Sequence, residues 1–400
     1  MRTIAAVTVG RSDVGLYAPI VRAIVDHPGL ELSVLAAAAH LAPEFGRTVE
    51  ELRRLGWPVT EEVEMTLASD SPQAVAKSLG LGVLGFAQAF ARSRPDVLLV
   101  MGDRFEMLSA VAAALPYNIP VAHVHGGETT RGAMDEAIRH AITKMAHIHF
   151  ATTREYGRRI LQMGEEPWRV HVTGSPAVDN IRATEPMALD RMEERLGIPL
   201  SGPFLLVTYH PVTLEYEDTP RQVANLVEAL ERVDLPTVVT YPNADTAGRA
   251  IIEAVNAFVE RAPRRRVAVK SLGASMYYGL MSHAAAMVGN SSSGLIEAPS
   301  FRLPVVNVGT RQEGRVRAAN VIDVGYEADD IEAGIRRALS PDFRAGLEGL
   351  QNPYGDGRAA RRIVEVLATV DLGPSLVLKG FRDLRHETDG ERGTPLDGER

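Results

Sequence analysis

Asp103, His125, Glu128, Asp135 and His140 fall within one stretch, residues 97–144, with Gly126 and Gly127 among them. Carboxylates and imidazoles gathered this closely can pass protons, one acting as base while a neighbour stays protonated. The glycines remove side chains where a ligand would approach. A helix cap or a solvated face explains any one of these residues alone; the group together reads as a site. A second set lies in the other half of the chain. Gly289-Asn290-Ser291-Ser292-Ser293-Gly294 is a small-residue turn opening a helix at Leu295. Its free backbone N–H groups and hydroxyls suit a pyrophosphate, and three serines exceed what one cap uses. His210 and Arg311 follow other apolar runs there. Arg11 follows the first apolar run of the chain, where it reads equally as a phosphate contact or an exposed turn arginine.

Such residues need a scaffold that brings turns together, and the hydrophobic pattern supplies one. Residues 97–101 have the length and composition of a strand buried on both faces, and Gly102-Asp103-Arg104 follows its end. A helix over 106–115, closed by Pro116, leads to a second strand at 120–123 and then to His125-Gly126-Gly127-Glu128. Ionisable groups past successive strand ends sit where open α/β sheets bind ligands. Residues 3–9, a polar turn and a helix over 16–26 open a doubly wound domain that lacks G-x-G-x-x-G. Strands at 30–37, 147–152 and 170–173 and helices at 43–55, 71–92 and 154–163 complete it to about Arg182. Gly80, Gly82 and Gly85 weaken the 71–92 helix, which close packing or a bend would explain. A connector over 185–203 precedes a second series, with strands at 204–209, 237–241, 267–270, 286–288, 305–308 and 321–324. The expected fold class is therefore α/β: two doubly wound Rossmann-like domains with an inter-domain cleft. Their bounds are 1–182 (acid/base side) and 183–370 (nucleotide side), with a C-terminal extension over 371–400 that is disordered from about 386.

Four hundred residues, 45% hydrophobic, provide cores for two such domains. A net charge of −8 argues against a nucleic-acid partner held by a general basic field. The chain has no cysteine, which removes disulfides and thiolate metal sites and fits a cytoplasmic protein. The N-terminus reads as a strand, not a signal peptide, and no apolar run approaches the ~18 residues of a membrane span, so no membrane partner is expected. Neither a metal-ligand cluster nor a redox fingerprint is visible, so the expected cofactors are none.

The chain resembles the hydrolysing UDP-N-acetylglucosamine 2-epimerases of sialic and legionaminic acid biosynthesis, in a superfamily with the glycosyltransferase-B architecture. The resemblance rests on GDRFE (102–106), HGGE with DEAIRHAITK (125–144), HPVT (210–213), YPNAD (241–245), GNSSSG (289–294) with Glu297, and GTR (309–311). It implies Asp103 and Asp135 as the acid/base pair, with His125 and Glu128 beside them and His210 serving the leaving phosphate or nearby sugar oxygens. It implies Ser291, Ser292, Ser293 and Gly294 at the diphosphate, Glu297 at the ribose, and Arg11, Arg104, Asn243, Asp245 and Arg311 on the nucleotide-sugar side. The implied reaction is UDP-N-acetylglucosamine plus water to N-acetylmannosamine and UDP through a glycal, by a homo-oligomer (dimer or tetramer). Where the family commonly has a catalytic glutamate this chain has His125, and the segment from His125 to Asp135 is one residue longer. A histidine can act as acid or base near neutral pH, and Glu128 can cover the same role. Both departures look more like the branch acting on UDP- or GDP-N,N'-diacetylbacillosamine. A non-hydrolysing epimerase, a glycosyltransferase-B transferase and a non-catalytic nucleotide-sugar binder are the alternatives.

Overall fold

Two parallel sheets carry the chain. The computed structural model describes residues 1–383 except 44–45, 70, 131–133, 243–247 and 271, with the backbone alone at 213–214. The first sheet contains β1 (Arg2–Thr8), β2 (Leu30–Ala37), β3 (Val59–Val63), β4 (Val97–Met101), β5 (Val121–Val124), β6 (Ile148–Ala151) and β7 (Val170–Val172). Its order is β3-β2-β1-β4-β5-β6-β7, every pair parallel. The second contains β8 (Leu205–Thr208), β9 (Thr237–Thr240), β10 (Arg266–Val269), β11 (Ala286–Gly289), β12 (Val305–Val308) and β13 (Val321–Val324). Its order is β10-β9-β8-β11-β12-β13, again parallel. The chain direction reverses between β1 and β4, and again between β8 and β11. Those switch points leave crevices outside the strand carboxyl ends.

Sixteen α-helices are described. Those of the first half are α1 (Arg11–Val25), α2 (Val49–Arg54), α3 (Pro72–Arg92), α4 (Phe105–Ala114), α5 (Met134–Met145), α6 (Arg154–Gln162) and α7 (Pro176–Ala183). Those that follow are α8 (Leu189–Leu196), α9 (Thr219–Val233), α10 (Gly248–Glu260), α11 (Gly273–His283), α12 (Ser293–Ile296), α13 (Ala328–Leu339), α14 (Pro341–Ala345), α15 (Ala359–Thr369) and α16 (Pro374–Val377). Local chemistry sets several starts. Ser71, Thr153 and Ser175 cap α3, α6 and α7, each accepting a backbone N–H with its hydroxyl oxygen.

Three sequence expectations change. No apolar run reaches a membrane-spanning length, yet α3, with 21 residues, is long and apolar enough to do so on length and composition. One face of it is packed within the first half: a Cβ at Gly82 would come within 2.8 Å of Ser109 on α4, and one at Gly85 within 2.6 Å of Val63 on β3. Close packing, not a bend, thus accounts for those two glycines. The strand β3 escapes the sequence pattern because VTEEV alternates half-exposed charges at a sheet edge. The helix expected over 43–55 is regular only in α2.

The C-terminal helices return to the first half. Ile363, Val364, Leu367 and Leu376 share one core with Ile4, Ile20 and Val97. Residues 359–370, expected in the second domain, therefore pack under the first sheet, where their apolar stripe meets α1. Each aliphatic side chain buried there contributes about 1.5–3 kcal/mol. Asp179 on α7 fixes the return by accepting the Ala359 and Ala360 N–H groups, both at 2.9 Å. The disorder expected from about 386 lies outside the described residues.

Candidate active site

Asp103 stands just beyond β4, where Gly102 turns the chain at φ 78°. Its Oδ2 accepts from Thr130 Oγ1 at 2.9 Å and from the Arg139 guanidinium. Arg139 is buried on α5 and donates a second bond to the His125 carbonyl at 2.8 Å. One arginine thus locks the end of β4 to the end of β5. Asp135 sits on the same helix, one turn before Arg139. Burial, and then the neighbouring Asp103 charge, raise its pKa, against the pull of Arg104 and Arg139. The two carboxyls are therefore unequal: Asp103 is paired with a cation, whereas Asp135 holds a proton more readily.

His125 is bent into the left-handed region at φ 66°, a conformation that costs a non-glycine residue about 1–2 kcal/mol. Its Nδ1 lies 2.7 Å from Glu128 Oε1, which also accepts from Thr152 Oγ1 at 2.7 Å. The Glu128 carboxyl is fully buried. Burial alone would raise its pKa, but the charges of His125, Arg139 and Arg315 outweigh it and bring the group down to about 2. An anionic Glu128 holds the proton on Nδ1, which leaves Nε2 as the free position of the ring. That Nε2 is buried and has no partner among the described residues. Gly127 makes room for the turn: at φ 75°, a Cβ there would come within 2.5 Å of the Tyr156 carbonyl oxygen.

In the second half, His210 follows β8 and Asn290 follows β11. The two are clamped reciprocally, His210 N–H to Asn290 Oδ1 at 2.7 Å and Asn290 Nδ2 to the His210 carbonyl at 2.8 Å. Burial, and then the Arg311 charge, lower the His210 pKa to about 4, so its imidazole is neutral near pH 7. Only glycine fits before this turn, since at Gly289 (φ 132°) a Cβ would stand 2.0 Å from the Thr208 carbonyl oxygen. Ser291, Ser292 and Ser293 are half-exposed along the opening of α12, with Ser291 Oγ accepting the Ser293 N–H at 3.3 Å. Gly294 gives space to Val305, 2.8 Å from where its Cβ would be. Glu297 accepts from the Tyr278 hydroxyl at 3.3 Å, and burial raises its pKa. Arg311 Nη1 donates to the Asn290 carbonyl at 3.0 Å, so it lies against the serine turn.

Four residues later the same loop reaches the other half. Arg315 Nε donates to the Thr129 carbonyl at 3.2 Å, beside Glu128. Four residues of chain span at most about 14 Å. The serine turn and the His125–Glu128 pair therefore lie within that order of distance of each other across the crevice. Two expected contacts have other partners here. Arg104 is held by Glu106, Nη2 to Oε1 at 2.7 Å, and exposed Arg11 lies 3.5 Å from Glu51. His140 faces Glu136 at 3.3 Å on its own helix. Asn243 and Asp245 lie outside the described residues. Sequence reasoning gave no role to Thr130, Thr152, Arg315, Tyr156 or Tyr354; the only signal for Arg139 is its spacing of one turn from Asp135. Among the described residues no group of three or more His, Cys, Asp or Glu side chains is arranged to hold a metal ion.

The chain matches the family described as UDP-N-acetylglucosamine 2-epimerase over residues 22–368. It is 35% identical over 380 residues to the UDP-N,N'-diacetylbacillosamine 2-epimerase (hydrolyzing) of Legionella pneumophila, covering 95% of this chain and 99% of that one. It is equally 35% identical over 385 residues to the GDP/UDP-N,N'-diacetylbacillosamine 2-epimerase (hydrolyzing) of Campylobacter jejuni, covering 96% and 99%. The UDP-N-acetylglucosamine 2-epimerase of Neisseria meningitidis is 31% identical over 340 residues, 85% of this chain and 88% of that one. Among solved structures, UDP-GlcNAc 2-epimerase from Neisseria meningitidis bound to UDP-GlcNAc superposes with a TM-score of 0.78 at 20% identity, covering 91% and 99%. The shared fold is the glycosyltransferase-B arrangement of two Rossmann-like sheets.

Proposed function

This chain belongs to the UDP-N-acetylglucosamine 2-epimerase family, and we propose that it is a hydrolysing nucleotide-sugar 2-epimerase acting on UDP-N,N'-diacetylbacillosamine. The observation that carries the reaction is the loop holding Arg311 at the serine turn and Arg315 beside Glu128. It brings a diphosphate-suited turn and a set of proton-transfer groups within the length of one nucleotide sugar. The substrate rests on the two relatives at 35% identity over nearly their whole length, whose names specify that sugar. His125 and the longer segment to Asp135 point the same way. UDP-N-acetylglucosamine is the second reading, supported by the Neisseria relative at 31%.

Epimerisation at C2 through a glycal demands that a proton leave one face of the sugar and another arrive on the opposite face. Two acid/base groups are therefore needed. In the elimination, a base takes the C2 proton, the C1–C2 double bond forms, and the C1–O electron pair leaves with the β-phosphate of UDP. In the hydration, water oxygen bonds to C1 while a proton reaches C2 from the other side, releasing the free 2-epimer. Asp135, with its raised pKa, and His125, with its free Nε2, are the pair we assign. Asp103 is an anion fixed by Arg139 that keeps Asp135 basic. Ser291, Ser292, backbone N–H groups and Arg311 stabilise the departing diphosphate, and neutral His210 donates or accepts a hydrogen bond there.

An NMR time course with UDP-N,N'-diacetylbacillosamine, its GDP analogue and UDP-N-acetylglucosamine in parallel tests this. Free 2-epimeric diacetamido sugar and UDP, with deuterium at C2 when run in D2O, is the expected result. A UDP-linked product would mean a non-hydrolysing epimerase. Consumption of none would remove the reading.

A further inference from the structure

Arg315 belongs to the second half, yet its guanidinium ends in the first. Its main chain is held on both sides. Arg317 Nη1 donates to the Arg315 carbonyl at 2.9 Å, and Arg317 Nε is itself anchored 3.0 Å from Asp323 Oδ1. Beyond it, the Val316 N–H donates to the Tyr156 hydroxyl at 3.0 Å, while the Tyr354 hydroxyl donates to the Val316 carbonyl at 3.1 Å. Tyr156 and Tyr354 are buried and join at 3.2 Å between their hydroxyls. A loop clamped this way is a rigid arm. Its tip bonds the Thr129 carbonyl, next to the carboxylate that orients His125.

We propose that Arg315 is a positioning residue: reaching across the crevice, it sets the His125–Glu128 dyad for proton transfer only while the two halves are together. The physical reason is neutralisation. Glu128 carries a buried negative charge, and an unpaired buried carboxylate is strongly disfavoured. Within the first half it has the Thr152 hydroxyl and the imidazole itself, with Arg139 already committed to Asp103 and the His125 carbonyl. Arg315 supplies further positive charge on the far side. Opening the crevice removes that charge, and the imidazole then takes up a proton to replace it. A protonated ring has no lone pair at Nε2 and cannot accept the proton of C2. Nucleotide-sugar binding, by drawing Arg311 and the serine turn onto the diphosphate, would hold the arm in place and keep the base free. The charged and titratable groups facing His125 are Glu128 from its own turn, His123 from β5, Arg139 and through it Asp103, Tyr156 from α6, and Arg315.

The kinetic arm of the test rests on the epimerase reading; the titration arm does not. Arg315→Gln is expected to lower kcat on UDP-N,N'-diacetylbacillosamine roughly 5- to 50-fold. Its UDP affinity by calorimetry should stay within about two-fold, and Arg315→Lys should recover most of the rate. In 15N-histidine NMR, with the His125 signal identified by its loss in His125→Gln, the midpoint should rise by about one unit in Arg315→Gln. An unmoved midpoint overturns the proposal, as does an unchanged kcat. UDP affinity weakened by the same factor as kcat/KM also overturns it, by making Arg315 a nucleotide ligand. Should Arg315→Gln not fold, Tyr354→Phe loosens the arm without removing the cation; a smaller fall in kcat with the same upward midpoint shift is then required, and no shift overturns the proposal. A wild-type protein that consumes no nucleotide sugar sinks the function reading alone, and the titration still decides Arg315.

Discussion

The two halves place different chemistry at matching positions of one topology. In each sheet the first strand is central, the fourth lies beside it and the fifth follows. Past the fourth strand, the first half has Gly102-Asp103-Arg104 and the second has Asn290-Ser291-Ser292. Past the fifth, the residues are His125-Gly126-Gly127 against Gly309-Thr310-Arg311. Both halves use a positive-φ glycine to leave the fourth strand, Gly102 at 78° and Gly289 at 132°. The turn geometry is shared; what differs is whether the next side chain is a buried ion or a small hydroxyl. Buried ions need partners, so the first half carries Arg139, Thr130 and Thr152 around its acid/base groups. Hydroxyls and backbone N–H groups need only a turn that leaves them unspent.

The sharpest way to break this division of labour is to neutralise one carboxylate. Asp135→Asn should lower kcat by roughly 10²–10⁴-fold, with UDP affinity nearly unchanged by calorimetry. Comparable loss of UDP binding would put the nucleotide on both halves. Glu128→Gln should cost about 10–100-fold in kcat, the range for a group that orients a working histidine; steady-state rates decide it. On the other side, Gly289→Ala should destabilise the fold by at least about 2 kcal/mol in chemical denaturation, since a Cβ meets the Thr208 carbonyl. Stability against pH separates the halves next. Burial lowers the pKa of His40 and His147 to about 4 and of His123 to about 3 in the first half, and of His210 to about 4 in the second. The unfolded chain takes up these protons first as pH falls below its ordinary histidine value near 6.5, so stability declines from there toward the folded values. Hydrogen exchange at pH 7.5 and 5.5 should show the first half losing more protection. The smallest effect belongs to Arg11→Gln: its exposed pairing with Glu51 is worth less than about 1 kcal/mol, and a several-fold rise in KM would reveal a phosphate contact.

Much of this division was legible in the residues. Asp103 and His125 follow short apolar runs that read as buried strands, and the serine turn declares itself by composition. The switch-point rule then says where such turns must meet. What composition does not encode is contact between distant segments. Arg315 looks like any loop arginine, and Tyr156 and Tyr354 are 198 positions apart, so only packing brings their hydroxyls together. The strand β3 was missed because edge strands tolerate charges. The location of α15 was missed because an amphipathic stripe states that it must be covered, not by which half.

The destination of α15 and α16 bears on how the protein comes into being. Segments completing the core around Ile4 and Val97 arrive only with Ile363, Val364, Leu367 and Leu376. During synthesis, the amino-terminal sheet must wait with an uncovered apolar side until almost the entire polypeptide has left the ribosome. A truncated product ending before residue 359 would stay sticky on that side, so the two sheets are one heritable unit that cannot be shuffled apart by cutting at the connector.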